Sequence, residues 1–277
     1  MAARRNATST RAGILRPEEF ARHVTMERTE TPADLAPWVE YHWTLAWDLP
    51  EHTAYPSAVI PHPACNLTVE HGAARAAAGG EVVLVTGVTT RRFEVEVTGS
   101  GWVHGVKLRP GGLVALTGAD ARAWVDRTAP AAELLPRGVL DVLAGLAPGT
   151  PAADATKVAA AAVRPLVPET VDPAHNRLLH LVEAMLGDRT LLRVDDVAER
   201  HGLSRRALER LFARYVGVGP KWVLARYRMH DVVTVLDSGY DGSMADLAAA
   251  HGWYDQAHFA RDFTALVGVP PSSYRRA

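Results

Sequence analysis

Two sets of residues in this sequence are equipped for chemistry. Near the C-terminus the stretch GWYDQAHFARDF, Gly252 to Phe263, sets Gln256, His258 and Arg261 among Ala257, Phe259 and Phe263. Amide and guanidinium forks are the side chains that read base edges through paired hydrogen bonds. Upstream, Arg205, Arg206, Glu209, Arg210 and Arg214 follow one another at helical spacing. From Leu203 to Arg228 there are seven basic residues (Arg205, Arg206, Arg210, Arg214, Lys221, Arg226, Arg228) against Glu209 alone, a net +6 in a chain whose formal net charge is −1. Such a patch repels itself unless a polyanion neutralises it. The second set lies in the N-terminal half, where His42, His52, His62, His71 and His104, with Cys65, Glu51 and Glu70, are of the types that bind metals. Their spacings match no compact ligand motif, so a metal-dependent sensor or enzyme is the alternative reading, and neither metal ligands nor catalytic residues nor a cofactor are assigned. Cys65, in PACN, has no activating base or cation beside it and reads as a small buried residue. The chain contains neither a Gly-rich phosphate loop after a strand nor a Gly-x-Ser-x-Gly elbow.

Composition sets the frame for these residues. A chain of 277 residues can bury more than one core, so two domains are expected. With 48% apolar and 22% charged residues it reads as soluble and globular. One cysteine excludes an intrachain disulfide framework and suits a reducing cytoplasm. No apolar run reaches membrane-spanning length, and MAARRNATSTRAG, with no apolar run behind its arginines, reads as a frayed tail rather than a secretory signal. The 27 arginines against 3 lysines point to a GC-rich bacterial genome.

The elements that would position the two sets follow different grammars. From about Val39 to Leu108 the pattern has period two: in RRFEVEVTG, Phe93, Val95 and Val97 alternate with Glu94 and Glu96, and CNLTVEHG, EVVLVTG and GWVHGVKL read as further strands of a small antiparallel sheet or barrel. TGADARAWVDRT, with Asp120 as N-cap, and ELLPRGVLDVLAGL read as short helices. The Pro, Gly, Thr and Ala of APGTPAADATKVAAAAVRPLVPETVDP have little to fill a core and read as a linker carrying one alanine-rich helix. Beyond Asp172-Pro173, an N-cap followed by Pro at the first helical position, the grammar is helical almost to the end, with Leu178, Val182 and Met185 as an apolar stripe. The expected class is α+β: an antiparallel, barrel-like β-rich domain with short helices over residues 1–165, then an all-α domain over 166–277.

The helical half contains a repeat. VAERHGLSRRALERLFARYVGVGP from Val197 aligns with LAAAHGWYDQAHFARDFTALVGVPP from Leu247, matching Ala198 with Ala248, His201-Gly202 with His251-Gly252 and Phe212 with Phe263. The offset is 50 before the turn and 51 after it, so the second turn carries one extra residue. Each unit is a short helix closed by a Gly suited to the left-handed position, a turn, and a second helix opened by a capping residue, Ser204 or Asp255. This is a helix-turn-helix, used twice. Leu208, Leu211, Phe212 and Tyr215 face inward in the first unit, and Phe259, Phe263 and Leu266 in the second, which turns the polar residues outward. His201 and His251, just before the glycines, read as structural helix ends. Between the units, Pro220 to Asp237 form a helix of eighteen residues with Trp222, Ala225, Met229, Val232 or Val233 and Leu236 on one stripe. Its length of roughly 27 Å suits two recognition helices in successive major grooves of B-DNA.

On these residues the segment from about Asn176 to Arg276 resembles the C-terminal domain of the AraC/XylS family of bacterial transcription regulators; GWYDQAHFARDF followed by VGVPPSSYRR is close to that family's signature. PHPACNLTVEHG and GVKLRPGGLVALTG are similar to the β-rich domain that precedes the motif in a subset of these regulators. The resemblance implies base contacts from Arg206, Glu209 and Arg210 and from Gln256, Ala257 and Arg261. Ser204, Arg205, Arg214, Asp255 and His258 complete the candidate DNA-binding set. It also implies double-stranded DNA as partner, with RNA polymerase, a small-molecule effector and a second copy of the chain as further partners of such a regulator.

Overall fold

A computed structural model describes residues 7–10, 12–72 and 82–276. The N-terminal half is built on a six-stranded antiparallel sheet of order β1-β2-β7-β4-β5-β8, faced by a two-stranded sheet β3-β6. The strands are β1 (Thr25–Glu30), β2 (Val39–Asp48), β3 (Ala54–Val59), β4 (Asn66–Gly72), β5 (Val83–Thr86), β6 (Phe93–Thr98), β7 (Ser100–Leu108) and β8 (Thr128–Pro130). β1 was not expected: five of its six residues, TMERTE, are charged or hydroxylated and the sixth is a lone Met, so it lacks an apolar stripe, yet it pairs in register with β2 from Thr25↔Ala46 to Glu30↔Tyr41. Helix α1 (Pro17–His23) precedes it, and α2 (Gly112–Thr117) follows β7. Asp120 caps the short 3-10 turn Ala121–Trp124, accepting from the Arg122 amide at 3.0 Å.

Because strand side chains alternate between faces, the large sheet has two lives. On one face Leu67, Val69, Trp102 and Val106 pack beneath α3 (Arg137–Ala144) and α4 (Ala152–Val163). Ala155, Ala159, Ala160, Ala162 and Val163 of α4 are all buried in that core. The alanine-rich stretch is therefore a core layer of the first half and not the linker its composition suggested. Methyl side chains let a helix backbone lie close to a sheet that supplies the bulk itself, and α4 also meets β1 edge-on through Thr156 and Thr29, whose hydroxyls lie 2.5 Å apart. On the other face Tyr41, Trp43, Leu45 and Trp47 look toward β3-β6. Thr8 and Ser9 are buried, so these described residues of the expected frayed tail are packed; residues 1–6 and 11 lie outside the described set.

The C-terminal half comprises α5 (Pro173–Gly187), α6 (Val194–Arg200), α7 (Arg205–Tyr215), α8 (Pro220–Asp237), α9 (Met244–Ala250), α10 (Gln256–Val267) and α11 (Pro271–Arg276). Asp172 caps α5 through the Ala174 amide. Two cores form at opposite ends of α8: Leu208, Phe212, Val223 and Tyr227 with α5 and α6, and Val233, Leu247, Phe259 and Phe263 with α11. The N-terminal half completes both. Val88 enters the first, and Leu15 and Ile60 enter the second. For that reason α8 is buried on more than the expected stripe, with Arg226, Tyr227 and His230 also inside. Among the described residues no helix is long and apolar enough to cross a membrane.

Candidate nucleic-acid interface and ligand cavity

The two repeat units start from the same backbone chemistry. Gly202 and Gly252 take φ of 62° and 77°, the left-handed region that closes a helix without steric cost only for Gly. The side chain of Ser204 then accepts from the Ala207 amide at 3.2 Å, and that of Asp255 from the His258 amide at 2.6 Å. Both caps are as the sequence required. The turns run from 201 to 204 and from 251 to 255, so the extra residue falls in the second. His201 and His251 close α6 and α9 through their backbone amides and not through their rings.

Outward faces follow from the inward ones. With Leu208, Phe212 and Tyr215 buried, Arg205, Arg206, Glu209, Arg210 and Arg214 are exposed; with Phe259, Phe263 and Val267 buried, Gln256, Ala257, His258 and Arg261 are exposed. They are not equally available. Arg205 is shared between Glu209 at 3.0 Å and Asp195 at 3.3 Å, which raise its pKa above the ordinary guanidinium value. Arg214 reaches Asp172 at 3.4 Å and lies 4.8 Å from the Tyr215 ring. His258 approaches Asp262 at 3.2 Å. Arg206, Arg210 and Arg261 make no ion pair or side-chain hydrogen bond with any described residue, which leaves their donors free.

The net +6 counted along Leu203–Arg228 overstates the outward charge. Arg226 is 6% exposed and donates to the Thr90 carbonyl at 2.7 Å, and burial pulls its pKa down to about 10. Arg228 donates to the Gly252 carbonyl at 3.2 Å and covers the Trp253 ring at 5.1 Å. Both belong to the interior of the helical domain and its boundary with the first half, which a count along the chain cannot see. One exposed residue beside the candidate set was not singled out: Tyr254, 93% exposed in the turn before α10. A bare aromatic ring in that turn was the available signal.

The N-terminal half touches the far ends of the recognition helices. Gly217, just past α7, sits against the Ala121 carbonyl so closely that an added Cβ would lie 2.6 Å from it. Arg92 donates to the Val267 carbonyl at the last turn of α10. Neither contact reaches the first turns, where a recognition helix meets base edges.

The histidines do not converge. Among the described residues no group of three His, Cys, Asp or Glu is placed to hold a metal ion. His42 and His104 pair at 3.4 Å under the sheet, His71 meets the Leu146 carbonyl at 2.8 Å, and Glu51 and His52 are exposed in the turn after β2. Burial pushes the Cys65 thiol up to about 12, which leaves it a poor nucleophile. His62 takes another course: its ring stacks on His230 of α8 at 4.0 Å and hydrogen-bonds Thr10, and burial holds its pKa well below the ordinary imidazole value.

His62 is also a wall of a cavity of about 200 Å³ between the two sheets. Met26, Trp43, Leu45, Phe93 and Val95 form its apolar body, and Arg28, Lys107 and Glu70 are its charged members. Gly105 shapes the floor: a Cβ there would lie 2.0 Å from the Trp43 ring, so only Gly lets the indole lie flat on β7. Strand alternation alone did not single out Lys107. Placing Trp102, His104, Val106 and Leu108 on the core face assigns Lys107 to the opposite face, which reads as wet, whereas it is 6% exposed.

Residues 27–130 match the family described as Domain of unknown function (DUF6597), and residues 197–277 match the family described as Helix-turn-helix domain. The chain is 30% identical over 105 residues to Transcriptional activator RhrA of Rhizobium meliloti (strain 1021), a match spanning 37% of this chain and 33% of that protein. It is 29% identical over 100 residues to HTH-type transcriptional activator AarP of Providencia stuartii, spanning 36% of this chain and 72% of that one. The chain thus covers a third of the length of one relative and under three quarters of the other. Among solved structures, ToxT from Vibrio cholerae is similar at 10% identity and a TM-score of 0.40, over 91% of this chain and 97% of that one.

Proposed function

We propose that this chain is a member of the AraC/XylS family of transcription regulators through its C-terminal domain, that it binds double-stranded DNA in a sequence-dependent manner and that it regulates transcription. Residues 166–277 form the DNA-binding half, and residues 1–165 the half that senses an effector or joins two copies. The observation that carries this reading is the repeated unit itself: two capped helices whose first turns are exposed while the other half of the chain holds only their far ends.

In this reading Arg206, Arg210, Gln256 and Arg261 reach base edges, and Ala257 offers its methyl to a thymine. Ser204 and Asp255 fix where each helix begins. Arg205, Arg214, His258 and Tyr254 lie toward the phosphates, which set register without reading sequence. Glu209 acts by holding Arg205. The metal-dependent alternative has no site among the described residues to stand on. The protein acts in the cytoplasm without enzymatic chemistry, with RNA polymerase and a second copy as macromolecular partners and an effector in the cavity between the sheets.

Selection of bound duplexes from a random pool by the full-length chain tests this reading. The expected result is a motif with two short half-sites whose centres lie about one helical turn, roughly 10 base pairs, apart. A pool that is never enriched, or a chain with no duplex affinity even at low salt, overturns it.

A further inference from the structure

The two repeat glycines share a backbone conformation but not a neighbourhood. Gly202 and Gly252 both lie in the left-handed region, with φ of 62° and 77°. Among the described residues, a Cβ added at Gly202 would meet nothing within 4 Å, whereas one at Gly252 would lie 3.0 Å from Leu192 Cδ2 and 3.4 Å from Arg228 Nη1. Leu192 belongs to the first unit, in the loop between α5 and α6, so the turn of the second unit is seated on the first. Arg228 of α8 completes the seat. Its Nη1 donates to the Gly252 carbonyl at 3.2 Å, and its guanidinium lies 5.1 Å from the Trp253 ring.

The seat lies where the helical half has no apolar core of its own. Among the described residues the two cores have no member in common: Tyr227 of α8 belongs to the first and Met229 to the second, and Arg228 stands between them. Units with separate cores move relative to one another unless an interface holds them. Here the hold passes from one recognition helix's unit to the other. On the first side, Arg189, in the same loop as Leu192, donates to Asp231 of α8 at 2.5 Å. On the second side, the Trp253 indole N–H donates at 2.9 Å to Asp262, in the second turn of α10. The chain of contacts thus runs from the α5–α6 loop through Arg228 and Trp253 to α10.

We propose that Arg228 and Leu192 are positioning residues that fix the distance and angle between the two recognition helices, so that the chain reads the spacing of its half-sites as strictly as their sequence. This rests on the reading of the helical half as the DNA-binding half. One base pair added between the half-sites displaces one of them by about 3.4 Å and turns it by about 36° around the duplex. A pair of helices locked at the Gly252 seat cannot follow that change without losing one groove. A pair joined by α8 alone follows part of it by bending between the two cores.

The test is fluorescence anisotropy of the full-length chain on its selected duplex, on duplexes with one base pair inserted or removed between the half-sites, and on a duplex with a single half-site at low salt. The unaltered chain should lose roughly tenfold or more in affinity for each change of spacing. Arg228→Met keeps the bulk and removes the donor and the charge. That variant and Leu192→Ala should each cut the penalty to about threefold or less while binding the single half-site as the unaltered chain does, which a variant that had lost its fold would not do. Leu192 is 41% exposed, so trimming it opens no core, and Leu192→Ala decides the matter if Arg228→Met does not fold. Tolerance of altered spacing by the unaltered chain, or an undiminished penalty in either folded variant, overturns the proposal and leaves α8 alone to set the spacing. Those results leave DNA binding standing, whereas a chain that binds no duplex sinks the regulatory reading and this inference with it.

Discussion

Arg210 on α7 and Arg261 on α10 are outward guanidinium groups that no described residue neutralises, one on each recognition helix. Replacing either with Ala removes a fork able to grip a guanine, worth about 1 to 3 kcal/mol, or roughly five- to 150-fold in affinity for the preferred duplex. The two residues belong to units with separate cores at opposite ends of α8. Losses at independent sites add. If both units grip one duplex, the double variant should therefore lose about 2 to 6 kcal/mol. Arg205→Ala is the internal control: its donors already serve Glu209 at 3.0 Å and Asp195 at 3.3 Å, so its removal should cost several-fold less than that of Arg210. Fluorescence anisotropy with the selected duplex and a scrambled one, over a range of salt concentrations, separates the contributions. Loss confined to the selected duplex marks base reading; equal loss on both, with the salt slope reduced by about 0.9, marks a phosphate contact. A larger effect at Arg205 than at Arg210 would refute the argument from ion pairing. No effect at Arg261, with Arg210 intact and essential, would refute engagement by both units.

Three further outcomes follow from burial. His42 and His104, each with a folded-state pKa near 4, and His230, near 3, refuse protons that the unfolded chain accepts near 6.5, so stability is full above pH 6.5 and falls as the pH drops toward 4. Each contributes about 1 kcal/mol of loss between pH 7 and 5.5, so denaturant midpoints should register about 3 kcal/mol over that interval, and a flat profile would show that these rings are not buried neutral. Cys65, half-buried and with its thiol raised to about 12, should react with iodoacetamide at neutral pH far more slowly in the native chain than in denaturant; equal rates in the two would contradict the raised pKa. Phe212→Ala and Phe263→Ala, both at 0% exposed, should each cost about 3 to 5 kcal/mol in chemical unfolding, and retention of full stability by either would mean that its unit lacks the core described.

The helical half was readable because its signals are local. A Gly in the left-handed region, a capping side chain two or three residues later and an apolar 3-4 spacing are dictated by backbone chemistry within one unit, and the repeat states them twice. The structure places the cap at Ser204 and at Asp255, and the long helix at Pro220–Asp237. Errors arose wherever the deciding partner was distant in sequence. Arg226 counts as a surface cation until Thr90, 136 residues away, takes its hydrogen bond. The alanines of α4 look too small to fill a core until a sheet with Trp102 and Val106 lies beneath them.

Lys107 is the most instructive of these cases, because strand periodicity put it on the correct face and still gave it the wrong environment. Alternation along β7 separates Val106 and Leu108 from Lys107, and in a sheet with one wet side a lysine on the second face is unremarkable. Here β3-β6 closes over that face, and the same lysine becomes a buried cation at the head of a cavity. What converts a surface charge into a buried one is the second layer, and in GVKLRPGG neither Lys107 nor its apolar neighbours encode it. The glycine beside it carries the one local trace: Gly105, next but one to Lys107 on the same face, is where the Trp43 indole lies against bare backbone.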